Sequence, residues 1–182
     1  MREFSPEVGR AAEMARKAHG DQRYGLGYKN YFEAHVLEVA SICEPFGDDA
    51  VIAALLHDVV EDTKITAAEI EARFGAQIAG YVALLTDSPG KNRKERKAAT
   101  YARLEASEDL VPLVVKAADR LANIRACVNT ANLGLFEMYR AEHPAFVSAV
   151  WRSRFEHGKT GEIWDAIDFE LARGDVLFGI KI

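Results

Sequence analysis

Cysteine is nearly absent from this chain. Two occur in 182 residues, Cys43 and Cys127, far apart and without the spacing of metal ligands. They read as small buried hydrophobes kept reduced, which suits a reducing compartment. Long apolar runs are missing as well. None reaches the ~18 residues that a membrane-spanning helix needs. The opening Met1-Arg2-Glu3-Phe4-Ser5-Pro6 has none of the features of a signal peptide, so the cytoplasm is the expected location. An excess of positive charge is lacking too: the formal net charge is −5. That argues against duplex nucleic acid as the main partner, which usually demands a broad basic face. It leaves room for a small anionic ligand held by a local basic cluster or a metal. There is no P-loop, no dinucleotide fingerprint and no Ser-His nucleophile pattern, and the glycines at 25 and 27 are too few for either loop.

What remains is a chain with 49% hydrophobic and 28% charged residues, free of repeats, low-complexity tracts and linkers. Its length suits one domain, residues 1–182, with a sizeable core. Almost all of it reads as helix. Ser5-Pro6 predicts an N-cap followed by proline in the first turn, with apolar positions recurring from Val8 to Ala18. Residues 20–29 hold three glycines and predict a loop. A second helix is expected over Tyr31 to Glu44, and a third over Val51 to Thr63. Thr66 to Glu69 is a capping box that starts the next helix, and Gly75 and Gly80 should break that helix into short pieces. Asp87 to Gly90 predicts a turn, and 91–106 a charged helix. A long helix should run from Ser107–Pro112 to Val128, with further helices over 133–142, 145–156 and 160–173. Only Val176 to Ile182 has strand character. The class is all-α: a single helical bundle.

Within this greasy chain the polar residues are informative. The stretch Val51 to Thr63 contains His57-Asp58 and, one helical turn later, Glu61-Asp62. His35 lies among Phe32, Val36, Leu37, Val39 and Ala40. Asp119 lies in a second apolar helix, one turn before Asn123. Singly, each has an ordinary explanation as a core histidine, an ion-pair partner or a solvated helix end. Jointly, two imidazoles and two carboxylates on three apolar helices form a mixed N/O ligand set. Burying them is costly unless a cation resolves the charge. The set suits Mn²⁺ or Fe²⁺, with Zn²⁺ or Mg²⁺ as further options.

The order H…HD…D, with Ala54 to Thr63 reading A-L-L-H-D-V-V-E-D-T and Val115 to Arg125 reading V-K-A-A-D-R-L-A-N-I-R, resembles the HD-domain metal-dependent phosphohydrolases. Within them it is most similar to the RelA/SpoT-type hydrolase domains and the stand-alone small alarmone hydrolases, which remove the 3′ diphosphate of (p)ppGpp. The resemblance runs from about His19 to Arg125. It implies His35, His57, Asp58 and Asp119 as metal ligands, Glu61 and Asp62 as the pair that orients and deprotonates the attacking water, and Asn123 as a holder of ribose or phosphate. His19 to Gly25, with Arg23, resembles a shortened form of the loop that stacks on the nucleobase. The run Gly27 to His35 departs from the family pattern G-x-P-Y-x-x-H, with Asn30 in place of the proline.

Lys91 to Lys97 carries five cations in seven residues. It reads either as a solvated helix face or as a diphosphate clamp of Lys91, Arg93, Lys94 and Lys97, with Tyr101 near the same face. His19, His143 and His157 lack partners at ligand spacing and read as structural. Trp151, Phe155 and Trp164 have helical spacing and are expected in the core or in a homodimer contact. The expected activity is a metal-dependent (p)ppGpp 3′-pyrophosphohydrolase with a small nucleotide as substrate. The alternatives are an HD nucleotidase acting on another nucleotide and a non-catalytic nucleotide-sensing module. The chain's length leaves no room for a synthetase domain.

Overall fold

Apolar periodicity of 3.6 residues becomes nine α-helices among the described residues. The structure, a computed structural model, describes residues 4–25 and 29–180. The expectations resting on Met1 to Glu3, on Gly27 and Tyr28, and on the last two residues of the tail lie outside them.

The centre is α7 (Leu110–Asn129), which buries Leu113, Val114, Val115, Ala117, Ala118, Leu121, Ala122 and Ile124. A helix apolar on most of its circumference must be enclosed. Around it pack α2 (Leu37–Cys43), α3 (Asp48–Leu56), α5 (Ala67–Leu85), α8 (Leu133–Val150) and α9 (Gly158–Phe178). The outer helices are α1 (Pro6–His19), which lies on α3, and α6 (Arg93–Glu105), which lies on α8. Between them α4 (Val59–Asp62) is a single turn. Cys43 and Cys127 are free and buried. No described helix is long and apolar enough to cross a membrane.

Several local expectations hold. Thr66 and Glu69 form the reciprocal capping box. Pro6 opens α1 behind Ser5, although the Ser5 side chain makes no capping bond. Others are corrected. The helix expected over Val51 to Thr63 is broken at His57-Asp58, and α4 restarts at Val59. The Ala54 carbonyl, which an unbroken helix would offer to the Asp58 N–H, accepts instead from His57 Nδ1 at 2.7 Å. The second helix begins as a π-helical turn over Phe32–Val36 before α2. Such wide turns are often functional, and this one carries His35. Gly75 kinks α5 at φ 85°, while the helix continues through Gly80.

Helices expected over 133–142 and 145–156 are mostly one. α8 runs through Pro144, because Phe136 on one side and Phe146, Ala149 and Val150 on the other are all buried against the same core. Packing outweighs the lost backbone bond. The tail is helical to Phe178. Gly179, at φ 65°, lets Ile180 N donate to Asp175 O, which closes a Schellman end. The strand character lies elsewhere, in a two-stranded antiparallel pair, β1 (Arg23–Tyr24) with β2 (Lys29–Asn30). Tyr101 is buried, its hydroxyl accepting from Arg120 at 2.8 Å, so it faces no nucleotide pocket. Phe155 and Trp164 are core residues and unavailable for a subunit contact, while Trp151 is partly exposed.

One close approach makes a stability prediction. Gly174 of α9 lies against the fully buried Phe136 ring, and a Cβ there would overlap that ring. Gly174→Ala is expected to destabilise by at least about 1–3 kcal/mol through overpacking. Urea unfolding checks this, and an unchanged midpoint would show that the α8–α9 contact yields freely.

Candidate metal centre

Three elements bring four side chains together. His35 comes from the π-helical turn, His57 and Asp58 from the break after α3, and Asp119 from the middle of α7. His35 and His57 are almost wholly buried, and Asp58 and Asp119 are partly accessible. The two Nε2 atoms lie 3.2 Å apart. Asp58 Oδ2 is 2.8 Å from His57 Nε2 and 3.7 Å from His35 Nε2. Asp119 Oδ1 is 3.4 Å from His35 Nε2 and 3.9 Å from His57 Nε2. Ligand bonds of about 2.1 Å separate neighbouring donors by roughly 3.0–3.5 Å in octahedral or tetrahedral shells. The measured separations bracket that range. One ligand atom from each of His35, His57 and Asp58 falls within 4.8 Å of the others. Two imidazoles and two carboxylates are a fitting donor set for a divalent ion.

Electrostatics agree with the geometry. Burial disfavours a charged His35, but Asp119 and Asp58 beside it prevail and raise its pKa to about 9. Burial likewise works against both carboxylates. The charges of His57 and His35, with hydrogen bonds from both rings, nonetheless hold Asp58 well below the usual range. Asp119 is also held low, first by Lys116 and then by the histidines. Protons thus stand where a divalent charge would compensate the same carboxylates. The bond from His57 Nδ1 to Ala54 O fixes the ring's orientation and leaves Nε2 as the nitrogen that faces the cluster.

The surroundings hold the carboxylates in place. Lys116, buried, sits 3.3 Å from Asp119 Oδ2 and donates to Leu85 O at 3.3 Å. Asn123 Nδ2 donates to Asp119 Oδ1 at 2.6 Å, and Tyr31 donates to Asp58 Oδ2. Sequence reasoning weighed Lys116, alongside Arg120, as an ion-pair partner of Asp119, and the structure pairs it with Lys116. It missed Tyr24 and Tyr31, because their contacts depend on how the segment before His35 packs against α7 and the break after α3.

Glu61 and Asp62 stand on α4, beside the cluster and exposed. Glu61 Oε2 accepts from Asp87 N at 3.0 Å, and Asp62 Oδ2 accepts a long contact from Gln22 Nε2 at 3.5 Å. Partial burial of the carboxyl ends, reinforced by the Asp87 and Asp58 charges at Glu61 and the Asp58 charge at Asp62, raises both pKa values. The basic segment divides. Arg93 forks onto Glu142 at 2.7 and 3.1 Å, and Lys97 binds Asp87 at 2.9 Å, while Lys91 and Lys94 are exposed. Arg23 is exposed on β1. A cavity of about 330 Å³ adjoins Asn123 and is lined by Tyr24, Lys29, Glu38, Cys127 and Tyr139.

An HD domain family model matches residues 11–134. The chain is similar to the guanosine-3′,5′-bis(diphosphate) 3′-pyrophosphohydrolase of Aquifex aeolicus, 35% identical over 127 residues, covering 68% of this chain and 18% of that protein. It is also similar to the GTP pyrophosphokinase rsh of Brucella ovis, 39% identical over 134 residues, covering 67% of this chain and 18% of that protein. The chain thus spans less than a fifth of the length of these relatives. Among solved structures, a metazoan SpoT ortholog that hydrolyses ppGpp superposes with a TM-score of 0.79 at 22% identity, over 95% of this chain and 98% of that one, a likeness of fold. With the family model covering most of the helical bundle and all four converging side chains, the chain belongs to the HD domain family.

Proposed function

We propose that this chain is a divalent-metal-dependent phosphohydrolase that removes the 3′ diphosphate of (p)ppGpp, releasing pyrophosphate and GDP or GTP. The observation that carries the reading is the convergence of His35, His57, Asp58 and Asp119 on one point, with two carboxyls one turn beyond. The name of the Aquifex relative, a guanosine-3′,5′-bis(diphosphate) 3′-pyrophosphohydrolase, supports the substrate class. Mn²⁺ is the proposed ion, bound by those four side chains. When bound, such an ion lowers the pKa of water and offsets charge developing on phosphorus.

The chain's own groups supply the rest. Glu61 and Asp62 orient the attacking water and take its proton. The bond between phosphorus and the 3′ oxygen breaks, and the proton taken from the water passes to that oxygen as it leaves. Asn123 borders both the ligand set and the cavity, which takes the nucleoside. Arg23, Lys91, Arg93, Lys94 and Lys97 are the proposed phosphate contacts, with Arg93 and Lys97 exchanging Glu142 and Asp87 for phosphate oxygens. The proposed domain is a single HD phosphohydrolase unit over residues 1–182, in the cytoplasm, where the thiols of Cys43 and Cys127 stay reduced.

The test is product release from ppGpp by the purified protein with Mn²⁺ and with EDTA. Pyrophosphate and GDP should form with Mn²⁺ only. No release from protein that has bound Mn²⁺ would remove (p)ppGpp as substrate and turn the search to other nucleotide phosphoesters.

A further inference from the structure

The two ligand histidines are not held alike. His57 has a backbone bond at Nδ1, whereas His35 Nδ1 is buried with no hydrogen-bond partner among the described residues. A metal-binding imidazole ordinarily donates its other nitrogen to a partner that fixes the ring. What holds His35 is an aromatic face. The Tyr24 ring stacks on it at 5.0 Å and 22°, and Tyr31 packs edge-on against Tyr24 at 5.6 Å and 73°. The same Tyr24 reaches a second ligand. Its hydroxyl donates to Asn123 Oδ1 at 2.9 Å, while Asn123 Nδ2 donates to Asp119 Oδ1 at 2.6 Å. An amide has one acceptor and one donor end, so the hydroxyl on Oδ1 aims Nδ2 at the carboxylate. Tyr24 also lines the cavity beside the centre.

We propose that Tyr24 is a positioning residue that couples the cavity to the metal ligands, its ring fixing the plane of His35 and its hydroxyl setting Asp119 through Asn123. This rests on the reading of the four side chains as a metal centre. Because coupling between sites is reciprocal, a ligand that seats Tyr24 raises metal affinity, and bound metal raises affinity for that ligand. A residue of the short strand β1, paired with Lys29 of β2, thereby governs ligands on the π-helical turn and on α7.

The test reads Mn²⁺ binding without substrate, from the electron paramagnetic resonance signal of free Mn²⁺ in titrations of the metal-free protein. Tyr24→Phe keeps the ring and removes the hydroxyl. It should weaken Mn²⁺ binding about tenfold, the lower range for loss of a partner behind a ligand. Tyr24→Leu should weaken it further. In an Asn123→Ala background Tyr24→Phe should change nothing more, because its route to Asp119 is already cut. Thermal midpoints of the metal-free variants distinguish lost positioning from lost folding. Unchanged Mn²⁺ affinity in Tyr24→Phe, or a full additional loss in the Asn123→Ala background, overturns the proposal. Wild-type protein that takes up no Mn²⁺ overturns the metal centre itself, and this proposal with it.

Discussion

Asp119→Ala is expected to reduce Mn²⁺-dependent pyrophosphate release at least ~10³-fold, since a bound ion contributes several kcal/mol to stabilising the transition state. It should also cost stability in the metal-free protein. Asp119 Oδ2 faces Lys116 Nζ at 3.3 Å, and Lys116 is 6% exposed. Removing one member of a buried ion pair leaves the other uncompensated, at about 3–5 kcal/mol. Asp58→Ala should match the activity loss with a smaller stability cost, because it faces the imidazoles of His57 and His35 and not a buried lysine. Hydrolysis assays and urea unfolding of both variants separate the effects. Full activity in either variant would sink the metal reading, and wild-type stability in Asp119→Ala would refute the role given to Lys116.

Glu61→Gln and Asp62→Asn are expected to lower kcat by ~10²–10⁴, the usual contribution of a general base, while Mn²⁺ still binds. They stand one turn beyond His57 and Asp58, outside the proposed ligand set. The pH profile gives an independent check. A base acts when deprotonated, so the rate falls as pH drops through its pKa. Both carboxyls are raised, first by burial and then by the charges of Asp87 and Asp58 at Glu61 and of Asp58 at Asp62. The acid limb of the rate should therefore lie above the ~4 of a free carboxyl. It should vanish from the residual activity of whichever variant removes the base. Loss of Mn²⁺ binding in either variant would move that residue into the ligand set and out of proton transfer.

The helical class, the capping box at Thr66 and the placing of His57-Asp58 and of Asp119 on apolar helices were legible in the chain. Each depends on spacing within a turn or two, and local periodicity is a property of sequence. The break between His57 and Asp58 was not legible, because it arises when the His57 side chain takes the Ala54 carbonyl. The reach of α8 through Pro144 depends on a core that buries both of its halves. The basic segment looked uniform from 91 to 97, but Glu142, 49 residues on, claims Arg93. Tyr24 and Asn123 meet across 99 residues. Sequence by itself determined the helical class and which residue types could hold a divalent ion. Tertiary structure alone decided which atoms face one another, since contacts between distant segments depend on how buried faces pack and not on the order in which residues occur.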